Sequence, residues 1–233
     1  QVDDKSNEIT AIPALLRLLD IAGCVVTIDA MGCQRKIASS ILDKGGDYIL
    51  AVKGNQPKLL ERMKTLFAHA KTVGGHRVDQ TWSETCDKDH GRIEKRICQA
   101  ISLSGWHFCL DFDRRWPGLK TLICVQGERR VDGETTTSRR YYISSLPLEA
   151  MDFLKGVRDH WRIENQLHWV LDVAFREDES RLRKGHGAHN FSLLRRLALN
   201  LLSRDETANM GIKARRLRAG WDEDYLLQLL FSA

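Results

Sequence analysis

The first seventy residues alternate short, continuous apolar segments with amphipathic ones, and this order limits the folds that the chain can adopt. Residues 8–20 carry Ile and Leu at the spacing of an amphipathic helix. A continuous apolar strand follows at 24–29, and a second helix fits 34–44. Another apolar strand runs from Tyr48 to Val52, and a third helix follows to about Ala70. Because buried parallel strands read as continuous apolar runs joined by helices, this order predicts a parallel α/β sheet.

The pattern changes after residue 75 to alternating segments separated by turn signals at 117–118 and 132–133. These segments predict mostly antiparallel strands, at 92–98, 122–125 and 140–144. Helical periodicity then predicts helices at 149–176, with an interruption, at 187–203 and at 222–231. We therefore predict three parts: the first part of an α/β core (1–74), a β-rich insertion (75–147) and a helical part (148–233).

Composition excludes several classes of protein. The chain has 233 residues and 42% hydrophobic content, which suits one domain, with or without a large insertion. Its apolar runs are too short to span a bilayer, so we expect no membrane partner. Six Cys without a CxxC pair disfavour a zinc ribbon and favour reduced thiols in a cytosol. A net charge of +5 permits a nucleic-acid partner without demonstrating one.

Asp29 ends the first apolar strand. At the carboxyl end of a parallel strand, a carboxylate projects where open α/β sheets build their sites. The competing interpretation is that Asp29 only caps the following helix. Lys53 and Asn55 follow the second strand, and if the two strands are neighbours they lie beside Asp29, able to reach a phosphate. A turn with a helix cap is the alternative for these two.

Glu164 lies in a Trp- and Arg-rich helical segment more than a hundred residues later. Uniform helical spacing predicts an apolar stripe formed by Ile163, Leu167, Val170 and Ala174. Glu164 falls at the edge of that stripe, where packing can hold a carboxylate that still faces a cleft. Arg158 and Arg162 fall on the polar side, positioned to meet phosphates. The alternative is a solvated Glu that pairs with neighbouring arginines.

Two further interpretations concern the same segment. His160, Glu164 and His168 share a spacing that could bind zinc, although HxxxExxxH is not the HExxH pattern of zinc hydrolases. Trp161 and Trp169 are interpreted as packing groups against the predicted insertion, with stacking on bases as the alternative. The late part of the chain also carries basic clusters, at 181–184, 195–196 and 213–218.

Several stretches together give the chain a specific resemblance to a known family. They are residues 5–13, 26–34, 48–56, 90–94, 160–165, 172–178 and 198–202, which read KSNEITAIP, VTIDAMGCQ, YILAVKGNQ, HGRIE, HWRIEN, DVAFRED and ALNLL. On these stretches the chain resembles DDE-type transposases of bacterial insertion sequences, of the H-repeat-associated, ISAs-one-type group. The resemblance covers nearly the whole sequence.

The resemblance implies an RNase H-like core with a β-rich insertion before the helix that carries the catalytic Glu. It makes Asp29 the second and Glu164 the third acid of a triad that binds Mg²⁺ or Mn²⁺. The superfamily's helix carries a Tyr, Arg, Glu, Lys signature, but Val157, His160 and Leu171 stand where Tyr, Arg and Lys would be. This departure leaves the phosphate contacts to basic residues elsewhere, namely Arg158, Arg162, Arg181 or Lys184.

The family's first Asp lies upstream of the segment that matches residues 5–8, and Asp3 and Asp4 do not match it. We therefore expect an N-terminally incomplete transposase that is inactive by itself. The resemblance implies transposon ends and target DNA as partners, a homodimer when assembled on DNA, and a cytoplasmic bacterial location on the nucleoid. The alternatives are a catalytically inactive DNA-binding remnant, a nuclease of the same fold and a zinc hydrolase.

Overall fold

The computed structural model describes residues 8–72, 79–89, 92–104, 116–147, 149–207 and 209–231. Asp3 and Asp4 lie outside these ranges. The elements are α1 (Glu8–Leu18), β1 (Val25–Ile28), α2 (Arg35–Leu42), β2 (Asp47–Val52), α3 (Pro57–Thr72), β3 (Gln80–Asp89), β4 (Arg92–Ser102), β5 (Thr121–Val131), β6 (Glu134–Ser144), α4 (Ala150–Ile163), a π-helical segment (Glu164–His168), α5 (Trp169–Phe175), α6 (Gly187–Arg204), α7 (Ile212–Ala219) and α8 (Glu223–Phe231). They belong to two compact units, a sheet unit (Val2–His160) and a helical unit (Trp161–Ala233).

The sheet unit contains a mixed six-stranded sheet in the order β1-β2-β6-β5-β4-β3. β1 and β2 are parallel, with Ile28 opposite Leu50, which confirms the parallel pair predicted from the first seventy residues. The other neighbours pair antiparallel, and β6 joins β2 with Ile143 opposite Leu50. The strands predicted at 75–147 therefore continue the sheet of β1 and β2, while their status as an insertion stays a prediction.

Two buried serines join the parallel and antiparallel parts of the sheet. Tyr48 N donates a hydrogen bond to Ser145 Oγ at 2.9 Å, and Ser145 Oγ donates to Asp47 Oδ1 at 2.7 Å. Ser144 Oγ donates to Tyr48 O at 2.7 Å. Because buried polar groups are costly unless they are paired, these bonds make the β2–β6 junction specific in register.

Helices cover both faces of the sheet within this unit. Side chains of α1, α2 and α3 form one core with alternate residues of β2 and β6, such as Leu50 and Ile143. α4 lies on the other face, where Ala150 N donates to Thr81 Oγ1 at 3.0 Å. Gly156 permits the close approach of α4 to β2, since a Cβ at this position would lie 2.9 Å from Ile49 Cδ1.

A lysine holds the carboxyl end of α1. Lys44 Nζ donates to the carbonyl oxygens of Leu16, Arg17 and Leu19 at 2.8, 3.1 and 2.5 Å. A helix ends with unsatisfied carbonyls and partial negative charge, so a cation at this point both bonds and neutralises it. The contact ties α1 to the α2–β2 loop.

The helical unit has a small core of its own. Leu202, Tyr225 and Leu229 pack with Phe175 and Ile212. The sequence predicted α6 and α8 but missed α7, because four of its eight residues are Lys or Arg and none is buried. No helix in the described ranges is long and apolar enough to cross a membrane.

Candidate active site and nucleic-acid interface

Asp29 lies exposed immediately after β1, at the carboxyl end of a parallel strand. Its Oδ1 accepts a hydrogen bond from Met31 N at 3.0 Å. The interpretation that Asp29 caps the next helix is wrong, because α2 begins at Arg35 and its N-cap residue is Gln34. Asp29 instead closes a turn, and a carboxylate with one such bond keeps acceptor capacity for a metal ion.

The loop after Asp29 is held from the neighbouring strand. Asn55 Nδ2 donates to Ala30 O, and Gln56 Nε2 donates to Cys33 O at 2.9 Å. Lys53 precedes these amides and is exposed. The condition that β1 and β2 are neighbours is met, so Lys53 and Asn55 follow the strand next to the one that ends at Asp29. The amide of Asn55 nevertheless binds protein backbone, and Gln56, which sequence reasoning passed over, does the same.

His160 connects α4 to β1. Its Nδ1 lies 3.2 Å from Thr27 Oγ1, two residues before Asp29. His160 Nδ1 thus contacts a threonine hydroxyl, whereas the HxxxExxxH pattern suggested a zinc ion as the partner of His160. Among the residues that the structure describes, no group of three or more His, Cys, Asp or Glu side chains could hold a metal ion. The zinc row is therefore not formed by His160, Glu164 and His168.

Glu164 is the first residue of the π-helical segment between α4 and α5 and is exposed. The predicted interruption within 149–176 thus takes the form of a wider helical turn. The predicted apolar stripe is wrong at Ile163, which is 57% exposed, whereas Leu171 and Ala174 are buried. Uniform spacing fails here because a π turn holds more residues than an α turn and shifts the helical phase. Short π segments of this kind occur frequently at functional sites.

The predicted phosphate-binding residues differ in their surroundings. Arg158 Nη1 lies 3.1 Å from Asp87 Oδ2 on β3, so its guanidinium is held against the sheet. Arg162, on α4, is exposed, as are Arg181 and Lys184 in the segment between α5 and α6. The prediction that Trp169 packs is wrong, because its side chain is 60% exposed.

Two arginines of the last basic cluster, Arg215 and Arg218, bind other residues of the helical unit. Arg215 donates to the carbonyl oxygens of Leu202 at 2.8 Å and Asp205 at 2.5 Å, which ends α6. Arg218 pairs with Asp222 at 2.9 Å and lies over the Tyr225 ring. These contacts give Arg215 and Arg218 structural roles, so the basic cluster at 213–218 is weaker evidence for a DNA-binding surface than its charge suggests.

A second charged cluster lies on β3, β4 and β5, and sequence reasoning gave it no role. Arg92, Glu94 and Arg96 alternate along β4, so they share one face of the sheet. Glu94 pairs with Arg92 at 3.0 Å and also with Arg96. The sequence signal for this cluster is the alternation of charged residues that begins within the HGRIE stretch at Arg92. His90 and Gly91 of that stretch lie outside the described residues.

Comparison with known proteins shows the family to which the chain belongs. Residues 1–201 match the family described as "Transposase DDE domain". The chain is 40% identical over 237 aligned residues to the "H repeat-associated putative transposase YhhI" of Escherichia coli (strain K12), an alignment that covers 99% of this chain and 61% of that protein. It is 42% identical over 235 residues to the "Putative transposase YncI" of Escherichia coli O157:H7, covering 100% of this chain and 59% of that protein. The chain thus spans about three fifths of the length of these relatives.

Proposed function

The chain belongs to the family of transposase DDE domains, and on this premise we propose that it forms part of the catalytic domain of an enzyme that cleaves and joins DNA strands during transposition. The family match carries the proposal, since residues 1–201 include both Asp29 and Glu164. The position of Asp29 supports it, because a carboxylate at the carboxyl end of a parallel strand is where such sheets bind their ligands.

The proposal extends to an RNase H-like core formed from the 1–74 and 148–233 parts, with 75–147 as its insertion. Within the described residues β1 is one of the two edge strands of the sheet, and Val25 on it is 46% exposed. An exposed strand edge offers unpaired backbone groups to a further strand. We place the strand that carries the first acid of the triad along this edge, supplied by residues that the longer relatives possess.

Mg²⁺ or Mn²⁺ suits the proposed acids, since both ions prefer carboxylate oxygens. The proposal assigns Asp29 and Glu164 as ligands of ions that would activate the attacking oxygen and stabilise the leaving one. The chain's own contribution is to fix the carboxylate of Asp29. Met31 N bonds its Oδ1, and the amides of Asn55 and Gln56 hold the loop that follows.

DNA is the proposed partner, as transposon ends and target, and the proposed assembly on DNA is a homodimer. Lys53, Arg162, Arg181 and Lys184 are exposed cations that suit phosphate contacts. Arg158 is partly exposed, at 44% of its side chain, and is oriented by Asp87. With two of the three acids supplied by this chain, we expect DNA binding without cleavage.

The test uses the purified chain with a labelled 30-base-pair duplex and with supercoiled plasmid, in Mg²⁺ and in Mn²⁺. We expect salt-sensitive binding to the duplex. We expect no more nicking of the plasmid than with an Asp29→Asn and Glu164→Gln double variant. If the chain nicks the plasmid in the presence of metal and Asp29→Asn abolishes this nicking, the expected inactivity of the chain is wrong. The same result would support metal-dependent strand cleavage through Asp29. An absence of DNA binding would contradict the proposed function.

The assignment of Asp29 is tested separately in the full-length YhhI protein. Replacing the residue that aligns with Asp29 by Asn should abolish strand cleavage and leave DNA binding intact, because the carboxylate binds metal and not DNA. Replacing the residue that aligns with Lys53 by Ala serves as the control, with weaker binding and retained cleavage at saturating DNA. Cleavage that survives the Asn variant would refute the assignment.

A further inference from the structure

One face of the β3–β4–β5 sheet carries three arginines beside Asp87 and Glu94, and a fourth arginine reaches this face from α4. In the sheet register, Glu94 of β4 stands opposite Asp87 of β3 and Arg129 of β5. Arg92 and Arg96 lie two residues away on β4, on the same face as Glu94. Together with Arg158 of α4, which bonds Asp87, these residues form the cluster that we name the arginine face.

Glu94 is the most shielded member of this cluster, whereas Asp87 is as exposed as Arg92. Glu94 Oε1 lies 3.0 Å from Arg92 Nε and 3.9 Å from Arg129 Nε, and its Oε2 pairs with Arg96 Nη2. Asp87 Oδ2 lies 2.8 Å from Arg96 Nη1 and 3.1 Å from Arg158 Nη1. Only 17% of the Glu94 side chain is exposed, against 27% for Arg96, 43% for Asp87 and 43% for Arg92. The other two arginines are the most exposed, Arg129 at 56% and Arg158 at 44%.

The charges of the arginine face do not balance. Four guanidinium groups meet the carboxylates of Glu94 and Asp87, and Asp89 stands opposite Arg92 in the sheet register, so the arginines still outnumber these three acids by one. A network that served stability alone gains nothing from holding surplus like charges together, because they repel each other. Each guanidinium has five N–H donors in a planar fork, so a bond to one acid leaves donors for an anion.

We propose that the arginine face binds the phosphate backbone of DNA and that Glu94 and Asp87 position its guanidinium groups for this contact. Guanidinium groups bind phosphate through paired hydrogen bonds, and a fixed orientation lowers the entropy lost on binding. The choice of DNA as the polyanion rests on the proposed function. The contact is to the backbone, so it carries no sequence specificity.

The test measures binding of the purified chain to a labelled 30-base-pair duplex of random sequence at several salt concentrations. Arg129 and Arg130 are consecutive on β5 and therefore point to opposite faces, so Arg130→Ala is the matched control for Arg129→Ala. We expect Arg129→Ala to weaken binding and to reduce the slope of log affinity against log salt by about 0.9, the value for one lost phosphate contact. The Arg92→Ala and Arg129→Ala double variant should reduce it by about twice as much. Arg130→Ala should leave the slope unchanged.

A further variant separates orientation from net charge. Glu94→Gln adds one positive charge, so a surface that acted by charge alone would bind the duplex more tightly. We expect weaker binding, because the guanidinium groups lose the acid that positions them. Circular dichroism verifies the fold of each variant, and Arg129→Gln replaces Arg129→Ala if the alanine variant fails to fold.

The outcomes separate the two proposals. If the unaltered chain binds DNA and Arg129→Ala and Arg130→Ala behave alike, the arginine face is refuted and the proposed function stands. Tighter binding by Glu94→Gln would also overturn the arginine face as an ordered surface. If the unaltered chain does not bind the duplex at all, both proposals fail.

Discussion

The side-chain amides of Asn55 and Gln56 hold the loop after Asp29, and this contact leads to a prediction that differs from the one made from the sequence. Sequence reasoning assigned Asn55 to phosphate, whereas the structure uses its amide to bind Ala30 O. Gln56 binds Cys33 O in the same loop at 2.9 Å. Replacing Asn55 or Gln56 by Ala should therefore loosen the loop itself, before any DNA is present.

The size of the effect follows from the bonds lost. A hydrogen bond of this kind contributes about 1 kcal/mol net. Each single variant should lower the free energy of local opening by about 1 kcal/mol, and the Asn55→Ala and Gln56→Ala double variant by about 2 kcal/mol. Since about 1.4 kcal/mol corresponds to a tenfold change, amide exchange in the loop should accelerate roughly fivefold and thirtyfold.

The assay is hydrogen–deuterium exchange of a peptide covering residues 31–38. Two of its amides report on the loop directly, since Cys33 N bonds Ala30 O at 3.1 Å and Gln34 N bonds Gly32 O at 2.8 Å. Lys53→Ala is the matched control, because Lys53 is exposed and precedes the same turn. We expect its exchange to equal that of the unaltered chain. Equal exchange in all variants would refute the structural role of the two amides.

Two further predictions concern stability. Lys44→Met removes the cation from the end of α1 and should lower the free energy of urea unfolding of the sheet unit by about 2 kcal/mol, because a charged donor that serves several carbonyls stabilises more than one ordinary hydrogen bond. Lys36→Met, on the exposed surface of α2, is the control. Equal losses of stability in the two variants would contradict the capping role of Lys44. Hydrogen bonds from Thr207 and Tyr225 lower the pKa of Asp205 to about 2 in the folded state. The Asp205 carboxylate therefore contributes stability that is complete above its unfolded pKa of about 4 and is lost as the pH falls towards 2. Asp205→Asn should remove this part of the acid sensitivity of the helical unit, measured as the urea midpoint against pH, and an unchanged pH dependence would count against it.

Local pattern was enough to predict much of the fold. Apolar runs at 24–29 and 48–52 predicted β1 and β2 as parallel strands, because continuous apolar runs joined by a helix are typical of parallel sheets. Alternation and turn residues identified β4, β5 and β6, whereas β3 was not among the strands predicted. Asp132 and Gly133 at the β5–β6 turn have the positive φ angles of 50° and 86° that such turns require. α7 escaped because its exposed, basic residues carry no periodic apolar signal.

The candidate site was predictable only in part. The sequence placed Asp29 at a strand end, because strand ends are visible as breaks in apolar pattern. It misplaced the stripe beside Glu164, because nothing in the residues there indicates that the helix widens into a π turn. The roles of Asp29 and Glu164 as metal ligands stay predictions.

The sequence by itself determined most of the order of helices and strands, the family and the two candidate acids, since each depends on short stretches of residues that can be read one at a time. Only the tertiary structure decided which polar groups bind one another. The partner of Asn55 is Ala30 across two strands, and that of Arg158 is Asp87 on another element. The partner of a residue depends on strand register and helix packing, which are set by contacts between distant parts of the chain. The sequence therefore does not distinguish an Asn or Arg that binds backbone from one that binds a carboxylate or a phosphate.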